Sequence, residues 1–323
     1  MVNLCSVPSR GSRYRLTSFS VALLAVAFVV GWGRVARARD LVGTRAIGMG
    51  GALRAAALGP SSVLLNPAGM SLARMYVTDA LYQYRGSDSA SQLSASVVDS
   101  TTSRHLGAGL FYNFGHASPK YTLPGSKGPI GVEETRNTHE IGGALSMALG
   151  QFLTFGVLGR YINVDVSLND GAPEGLSVPD ISAFTMDVGG IIRLGKSFNV
   201  AIVGYNLIPV DHRFSALYPQ TLGLGVSYAM GTLLLAEFDT VLDFSSDPTK
   251  DATASFHGGV EALFAKRYVL RAGVAHDMRL VTTYVSGGVG IVTRRVGVEV
   301  ALRQMVAGGP ETLFAASVKV FLK

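Results

Sequence analysis

The sequence predicts an all-β protein, a transmembrane antiparallel β-barrel of about 14 strands with an N-terminal Gly-rich hatch, or plug, ahead of it. Three observations predict this fold class. After residue 74, apolar residues alternate with polar or small ones over most of the chain. Short and long connections alternate between these segments. Residues 43–74 are rich in Gly and Ala and contain no Asp or Glu.

The alternation has a period of two. In residues 221–230 (TLGLGVSYAM) the apolar side chains occupy every second position, and residues 295–304 (RVGVEVALRQ) repeat the pattern. Successive side chains of a strand point to opposite faces, so each segment has one apolar and one polar or small face. Fourteen segments are predicted as strands: 75–84, 91–98, 105–114, 138–149, 151–165, 182–194, 197–208, 219–230, 232–244, 253–265, 267–277, 283–293, 295–305 and 312–322.

The lengths of strands and connections favour a membrane barrel over a soluble β-sandwich, which also alternates. Most segments are longer than the usual 5–6 residues of globular strands and suit a tilted membrane strand of about 9–11 residues. Connections of one to three residues alternate with longer ones, as in outer-membrane barrels, and an even strand count leaves both termini on the short-turn side. Segments 91–98 and 197–208 alternate poorly, so the count can differ by two. The longer connections lie near 115–137, 166–181, 209–218, 245–252, 277–282 and 306–311.

Charged residues in these segments fall on the face opposite the bulky apolar side chains. In lipid, every backbone polar group needs an internal partner, so the sheet must close and the charges must face the lumen. A basic residue facing the middle of the bilayer would cost about 2–4 kcal/mol. The predicted lumen-facing charges are Arg160, Asp187, Arg193, Glu237, Asp239, Glu261, Arg271, Glu299, Arg303 and Lys319. Aromatic residues near strand ends are predicted to form interfacial girdles: Tyr76, Tyr84, Tyr112, Tyr161, Tyr268 and Phe321.

Residues 1–38 have the pattern of a secretory signal peptide. Basic residues precede the uncharged run 21–32 (VALLAVAFVVGW), and Ala36-Arg37-Ala38 follows it as an A-x-A cleavage site. The run has 12 residues, fewer than the roughly 20 of a membrane-spanning helix; an uncleaved anchor is the alternative. The sequence therefore predicts three parts: residues 1–38 as signal peptide, 39–74 as hatch segment and 75–323 as barrel.

Cleavage changes the composition. Without the five Arg of residues 1–38, the mature chain has 23 basic and 22 acidic residues. The high isoelectric point of the full sequence therefore gives no support to a nucleic-acid partner. The single Cys, Cys5, is removed as well. The mature chain is therefore not a disulfide scaffold.

The segment 43–74 is predicted to fold into the barrel as a compact plug. Its glycines permit turns and close approach to a wall, the run 55–57 is predicted to form one helical turn, and Pro67 keeps Asn66 out of the helical region. A periplasmic tail or an N-terminal strand is the alternative. The residues of this predicted hatch motif are Gly48, Gly50, Gly51, Asn66, Pro67, Ala68 and Gly69.

The pattern RAIGMGGAL…LNPAGMSLA resembles the N-terminal signature of the FadL-type superfamily of outer-membrane transport proteins, and its GMGGA form is similar to a PorV-like branch. The resemblance implies a 14-stranded barrel in the bacterial outer membrane, with Asn66, Pro67 and Ala68 in the hatch. It implies a passive channel for small hydrophobic compounds such as fatty acids. The alternative is a PorV-like, non-enzymatic partner of a protein secretion or surface-assembly machine. The implied partners are outer-membrane lipid, a hydrophobic substrate, the barrel-assembly machinery and, in the alternative, secretion-system subunits.

The residues indicate no enzyme, metal site or cofactor. The six histidines show no H-x-x-x-H or H-E-x-x-H spacing, and neither a G-x-S-x-G elbow nor a phosphate loop occurs. Ser255 and His257 share one strand face, as a lipid-hydrolysing barrel would require, but Glu261 on the same strand cannot reach His257. The pair is interpreted as lumen-lining.

We predict a mature N-terminus at Arg39, because the A-x-A site directly precedes it. N-terminal sequencing of the protein from the membrane fraction tests this. A chain in that fraction that still begins at Met1 would show that residues 1–38 are not a cleaved signal peptide.

Overall fold

The computed structural model describes residues 42–125, 128–169, 180–210, 217–246 and 252–322. The predicted signal peptide and Arg39 lie outside these residues. Within the described ranges, no helix is long and apolar enough to cross a membrane.

The described residues form one antiparallel sheet of fifteen strands. Their bounds are β1 Tyr76–Arg85, β2 Ala90–Asp99, β3 Leu106–Ala117, β4 Lys120–Gly125, β5 Gly128–Leu149, β6 Leu153–Leu168, β7 Ile181–Leu194, β8 Phe198–Tyr205, β9 Thr221–Met230, β10 Leu234–Asp243, β11 Thr253–Phe264, β12 Tyr268–Asp277, β13 Thr282–Val292, β14 Val296–Ala307 and β15 Thr312–Leu322.

The sheet closes on itself. The first and last strands pair from Tyr76↔Leu322 to Arg85↔Leu313, and β3 pairs with β5 rather than with β4. Strand β4 pairs with β5 outside the ring, beginning at Lys120↔Glu133. The wall is therefore a closed ring of fourteen strands, which confirms the predicted fold class and differs from the two packed sheets of a sandwich.

The outer surface of the ring is apolar. Along residues 106–115 of β3 exposed and buried positions alternate, and most of the outward side chains are large: Leu106, Leu110, Tyr112 and Phe114. Leu110 on β3 is 61 % exposed, and Leu145 beside it on β5 is 64 % exposed. An apolar belt of this kind around a whole sheet is suited to lipid and not to water.

The predicted aromatic girdle is right for five of its six residues. The tyrosines are exposed on the outer surface: Tyr76, Tyr84, Tyr112, Tyr161 and Tyr268. The prediction is wrong for Phe321, which packs from the inside against the cluster that contains Val63, Met70 and Val77. Its position on the inner face of β15 explains this, because Lys319 two residues earlier also points inward.

The connections differ between the two ends of the ring. At one end, called the short-turn end, most turns span three residues, and Gly150, Gly195 and Gly231 have φ angles of 71°, 75° and 58°. Residues other than glycine rarely adopt this left-handed backbone conformation. The opposite, long-loop end carries the longer connections, such as the one between β8 and β9.

Two of the differences between the observed and the predicted strand boundaries have a clear physical cause. The predicted link 115–137 contains β4 and the first part of β5, which form a ribbon beyond the ring. The sequence of residues 120–133 shows no sustained alternation of apolar and polar residues, so the alternation rule misses this part. Strand β8 was predicted to reach residue 208 but ends at Tyr205, because Asn206 takes a φ of 52° and donates its backbone N–H to the carboxylate of Asp187.

We predict that the long-loop end faces the cell exterior. Single cysteines at Lys120 and Val281, both exposed at that end, should react with an impermeant maleimide on intact cells. Cysteines at Lys196 and Thr232, exposed at the short-turn end, should react only after the outer membrane is permeabilised. The native chain's single Cys lies in the predicted signal peptide, so the background is low. Labelling of only the cysteines at Lys196 and Thr232 on intact cells would show that the orientation is the opposite one.

Candidate functional site

The hatch, residues 43–74, lies inside the ring. Helix α1 (Gly43–Gly48) contacts β12 to β15, helix α2 (Pro60–Leu65) contacts β1 to β3, and a 3-10 helix (Pro67–Leu72) contacts β3, β5, β6 and β7. The predicted helical turn at residues 55–57 is wrong, since the backbone bends there without forming a helix. The backbone N–H groups of Leu53, Arg54 and Ala55 at this bend donate to carboxylates of the wall.

Wall glycines make room for the hatch. A Cβ atom added at Gly259 or Gly273 would overlap Met49 or Gly50, and one at Gly189 would overlap the side chain of Asn66. A Cβ at Gly156 would likewise overlap the backbone at Pro67 and Ala68. The small residues on the inner strand faces therefore match the path of the hatch.

Two carboxylates of β10 hold the bend of the hatch, and we call them the β10 clamp. Asp239 Oδ2 accepts the backbone N–H groups of Leu53 (2.9 Å) and Arg54 (3.1 Å) and also the Arg54 guanidinium (2.9 Å). Glu237 Oε1 accepts the N–H of Ala55 at 2.5 Å. Both carboxylates are buried, and hydrogen bonds to charged groups are the strong ones in such surroundings.

A chain of ion pairs joins helix α1 to the neighbouring strands β11, β12, β14 and β15. Arg45 donates from Nε and Nη2 to the two oxygens of Glu261, both at 2.8 Å. Arg271 bridges Glu261 (2.6 Å) and Glu299 (3.1 Å), and Lys319 completes the chain at 2.7 Å from Glu299. Charges of both signs alternate along this chain, so each carboxylate lies against basic groups on two sides.

The remaining predicted charges also lie on the inner side of the ring. Arg160 and Asp187 form a buried two-point pair at 2.9 and 3.1 Å. Arg193 donates to the carbonyl of Leu72 at 3.1 Å, and Arg303 donates to Glu311 at 3.2 Å. Sequence patterning gives the face of each charge but not these partners, since the partners come from other strands or from the hatch.

Asn66 connects distant parts of the hatch. Its side chain is fully buried, its Nδ2 donates to the carbonyl of Arg54 at 2.9 Å, and its Oδ1 accepts the N–H of Ala68 at 3.1 Å. Gly69 follows where a Cβ would overlap the Ala57 carbonyl. The Asn-Pro-Ala-Gly segment thus fixes the 3-10 helix to the bend that the β10 clamp holds.

The first glycine group of the motif meets the wall directly. Gly50 and Gly51 have φ angles of 70° and 85°, and Gly50 donates its N–H to Ser286 Oγ at 2.9 Å. Gly48 lies so close to β12 and β13 that an added Cβ would be 3.3 Å from Arg271 and Gly288. The left-handed backbone at Gly50 and Gly51 favours glycine, and the wall leaves little room for a side chain at Gly48.

The Ser255–His257 pair contacts the hatch. His257 Nδ1 lies 2.8 Å from the Gly50 carbonyl and its Nε2 lies 3.1 Å from Ser255 Oγ. Because a carbonyl only accepts, Nδ1 carries the proton and Nε2 accepts from the serine. The nitrogen that a catalytic acid would orient is thus occupied by the hatch backbone. Among the described residues, no group of three or more His, Cys, Asp or Glu side chains could hold a metal ion.

A cavity of about 260 Å³ lies between the hatch and the long-loop end. Gly51, Arg54 and Leu65 form its floor, and Tyr205 and Tyr284 are among its wall residues. A smaller cavity of about 80 Å³ lies beside it. Sequence reasoning did not find these cavities, because they arise where elements far apart in the chain meet.

A closed, lipid-facing ring with a folded segment across its lumen defines a plugged transmembrane β-barrel. Solved structures with this fold are similar to the chain. The CymD monoaromatic hydrocarbon channel has 14 % identity and a TM-score of 0.65 and covers 87 % of this chain and 97 % of its own. The Ralstonia pickettii toluene transporter TbuX has 15 % identity and a TM-score of 0.63, with coverage of 87 % and 98 %. A Pseudomonas aeruginosa FadL homologue has 10 % identity and a TM-score of 0.63, again with coverage of 87 % and 98 %.

These similarities confirm the FadL-type fold that the hatch motif indicates. No family model matches the sequence, and no curated protein matches it either. At the identities found, the comparison establishes shared architecture.

We predict that Asn66→Ala loosens the hatch and leaves the ring intact. The substitution leaves the Arg54 carbonyl and the Ala68 N–H without their partner, at a cost of about 1–3 kcal/mol. Hydrogen exchange of residues 43–74 should become faster, while heat-modifiable migration on gels stays unchanged. Asn163→Ala, whose side chain bonds Asp165 near the surface, is the matched control. Equal hydrogen exchange in the two variants would show that Asn66 does not hold the hatch in place.

Proposed function

We propose that the protein is a passive channel for small hydrophobic compounds in the outer membrane of a bacterium. The observation that carries the proposal is the cavity of about 260 Å³ on the hatch, inside a lipid-facing ring. The fold is that of a monoaromatic hydrocarbon channel and of a toluene transporter, which supports this class of substrate. The protein would reach the membrane by export and insertion through the barrel-assembly machinery.

Binding in the cavity would be driven by removal of apolar surface from water. At roughly 25 cal/mol per Å², a compound that buries about 200 Å² gains on the order of 5 kcal/mol. The cavity is small compared with drug-sized pockets of roughly 300–1,000 Å³, so it favours compact compounds. The cavity lining also includes the charged residues Arg54, Arg160 and Arg303. Each of them is paired with a carboxylate, which limits the cost of placing an apolar compound beside it: Asp239, Asp187 and Glu311.

No covalent step is part of this function. Ser255 and His257 serve to hold Gly50, and the substrate passes unchanged. The hatch fills the lumen below the cavity, so passage toward the short-turn end requires local movement of the hatch. This is facilitated diffusion, not flow through an open pore.

A PorV-like, non-enzymatic partner of a secretion or surface-assembly machine is the second candidate. Two observations favour it: the ion-paired contact between hatch and wall, and the ribbon of β4 and β5 beyond the ring, which offers a surface to secretion-system subunits. In that case the lumen would stay closed and the outer ribbon would carry the function.

We predict that filling the cavity reduces uptake. Ala275 lines the cavity and is 7 % exposed, whereas its neighbour Val274 points outward and is 48 % exposed. Ala275→Trp should lower uptake of labelled toluene and of a long-chain fatty acid by intact bacterial cells several-fold. Val274→Trp, which places the same side chain in lipid, should leave uptake unchanged. If cells with the wild-type protein take up no more of either compound than cells without it, the channel proposal is wrong. If secretion subunits also co-purify with the protein, the second candidate function is supported instead.

A further inference from the structure

The connections at the short-turn end of the ring are basic. Among the described residues, neither these connections nor residues 73–75 ahead of β1 contain an Asp or Glu. Asp99, the last residue of β2, accepts hydrogen bonds from Thr101 and Thr102. Seven basic residues are exposed at this end: Arg74, Arg104, Lys196, Lys266, Arg267, Arg294 and Arg295. The connections therefore carry a positive charge that they do not balance themselves.

Most of this charge lies on one side of the ring. The connections β11–β12, β13–β14 and β2–β3 follow one another at this end, and the start of β1 and the end of β15 lie between the last two. On the other side, the connections β5–β6 and β9–β10 have no charged residue, and β7–β8 has only Lys196. We call the six residues of the first side the basic arc: Arg74, Arg104, Lys266, Arg267, Arg294 and Arg295.

The side chains of the basic arc lack acidic partners. Five of the six make no hydrogen bond or ion pair with another described residue, and Arg74 donates to the carbonyl of Thr101 at 2.6 Å. Basic side chains at the long-loop end are instead paired with acids of their own chain: Arg85–Asp88, Lys120–Glu133 and Arg136–Glu134. The charge of the basic arc is therefore available to an anion from outside the chain.

The basic arc borders directly on the apolar outer surface. Tyr268 follows Arg267 and is 50 % exposed, and Val296 follows Arg295 and is 40 % exposed. A strand rises about 3.3 Å per residue, so each charge lies one short step beyond a side chain that faces the acyl chains. Long basic side chains in such a position lay their apolar stems on the apolar surface and place their charged ends at the level of the lipid headgroups.

We propose that the basic arc binds phospholipids of net negative charge, such as phosphatidylglycerol, in the leaflet at the short-turn end. Five of its six residues are Arg, whose guanidinium group donates two parallel hydrogen bonds to a phosphate. Lipid already covers the apolar surface beside these residues, which favours a lipid headgroup over an acidic soluble protein as the bound anion. The site is separate from the cavity on the hatch and does not depend on the channel function.

The test measures binding of phosphatidylglycerol and of the zwitterionic phosphatidylcholine to purified protein in detergent, by native mass spectrometry. The wild type should bind phosphatidylglycerol more tightly, and this preference should shrink as the salt concentration rises. Neutralising four exposed residues should lower the affinity for phosphatidylglycerol relative to phosphatidylcholine about tenfold or more. The four substitutions are combined in one variant: Lys266→Gln, Arg267→Gln, Arg294→Gln and Arg295→Gln.

Two control variants separate the basic arc from net charge and from folding. Exchange of Lys and Arg at the same four positions keeps the charge and should keep the preference. Lys120→Gln with Lys196→Gln removes two exposed charges outside the basic arc and should also keep it. Heat-modifiable migration on gels shows that each variant is folded.

Three results would overturn the proposal. They are equal affinity of the wild type for the two lipids, an unchanged ratio in the folded four-residue variant, and an equal loss in the Lys120→Gln, Lys196→Gln control. If the wild type shows no lipid preference and an acidic envelope protein co-purifies with it but not with the four-residue variant, the basic arc binds a protein instead.

Discussion

Pairing of the backbone in lipid is the constraint on which the rest of this structure depends. An open edge in the membrane would expose a row of unpaired N–H and C=O groups, so β1 must find β15, and their ladder closes the ring. A ring of fourteen strands is wider than one that side chains alone can fill. The chain fills the space with its own N-terminal segment. The wall glycines follow from this, since strands that carried side chains at Gly189 or Gly273 would exclude the hatch.

Electrostatics then determines where the hatch sits. Buried ion pairs often contribute little net stability, because desolvation cancels much of the attraction, but removal of one partner is costly. The β10 clamp and the Arg45–Glu261 pair therefore act mainly on position. A hatch shifted by one residue would leave the buried Asp239 without its partners and would separate Arg45 from Glu261. The wall thus selects one register of a segment that has few large side chains of its own to fix it.

The features that a local rule determines could be predicted from the sequence. Strand alternation and connection lengths gave the ring, and the glycine-rich motif gave the segment that fills it. Features set by contacts between residues far apart in the chain could not be predicted: nothing local in the sequence joins Arg54 to Asp239, or Arg45 to Glu261. The early end of β8 belongs to the same class, because the backbone turn at Asn206 is fixed by a carboxylate of β7. The bend at residues 55–57 replaced a predicted helical turn for that reason too, since Glu237, outside the hatch, accepts the backbone N–H of Ala55.

The two halves of the hatch are held by different forces, and this bears on how a closed lumen can pass an apolar compound. Residues 43–57 are bound by carboxylates in addition to apolar contacts such as that of Ile47 with Leu313, whereas Val63 and Met70 in the later half are held by packing on Val77 and Phe111. An apolar compound cannot replace a carboxylate as the partner of a buried guanidinium, so movement of the first half would cost several kcal/mol. It can replace apolar side chains, because contact with the compound removes the same surface from water. For the proposed channel, movement at the apolar half of the hatch is therefore the less costly route, because the compound itself would offset the cost of that movement.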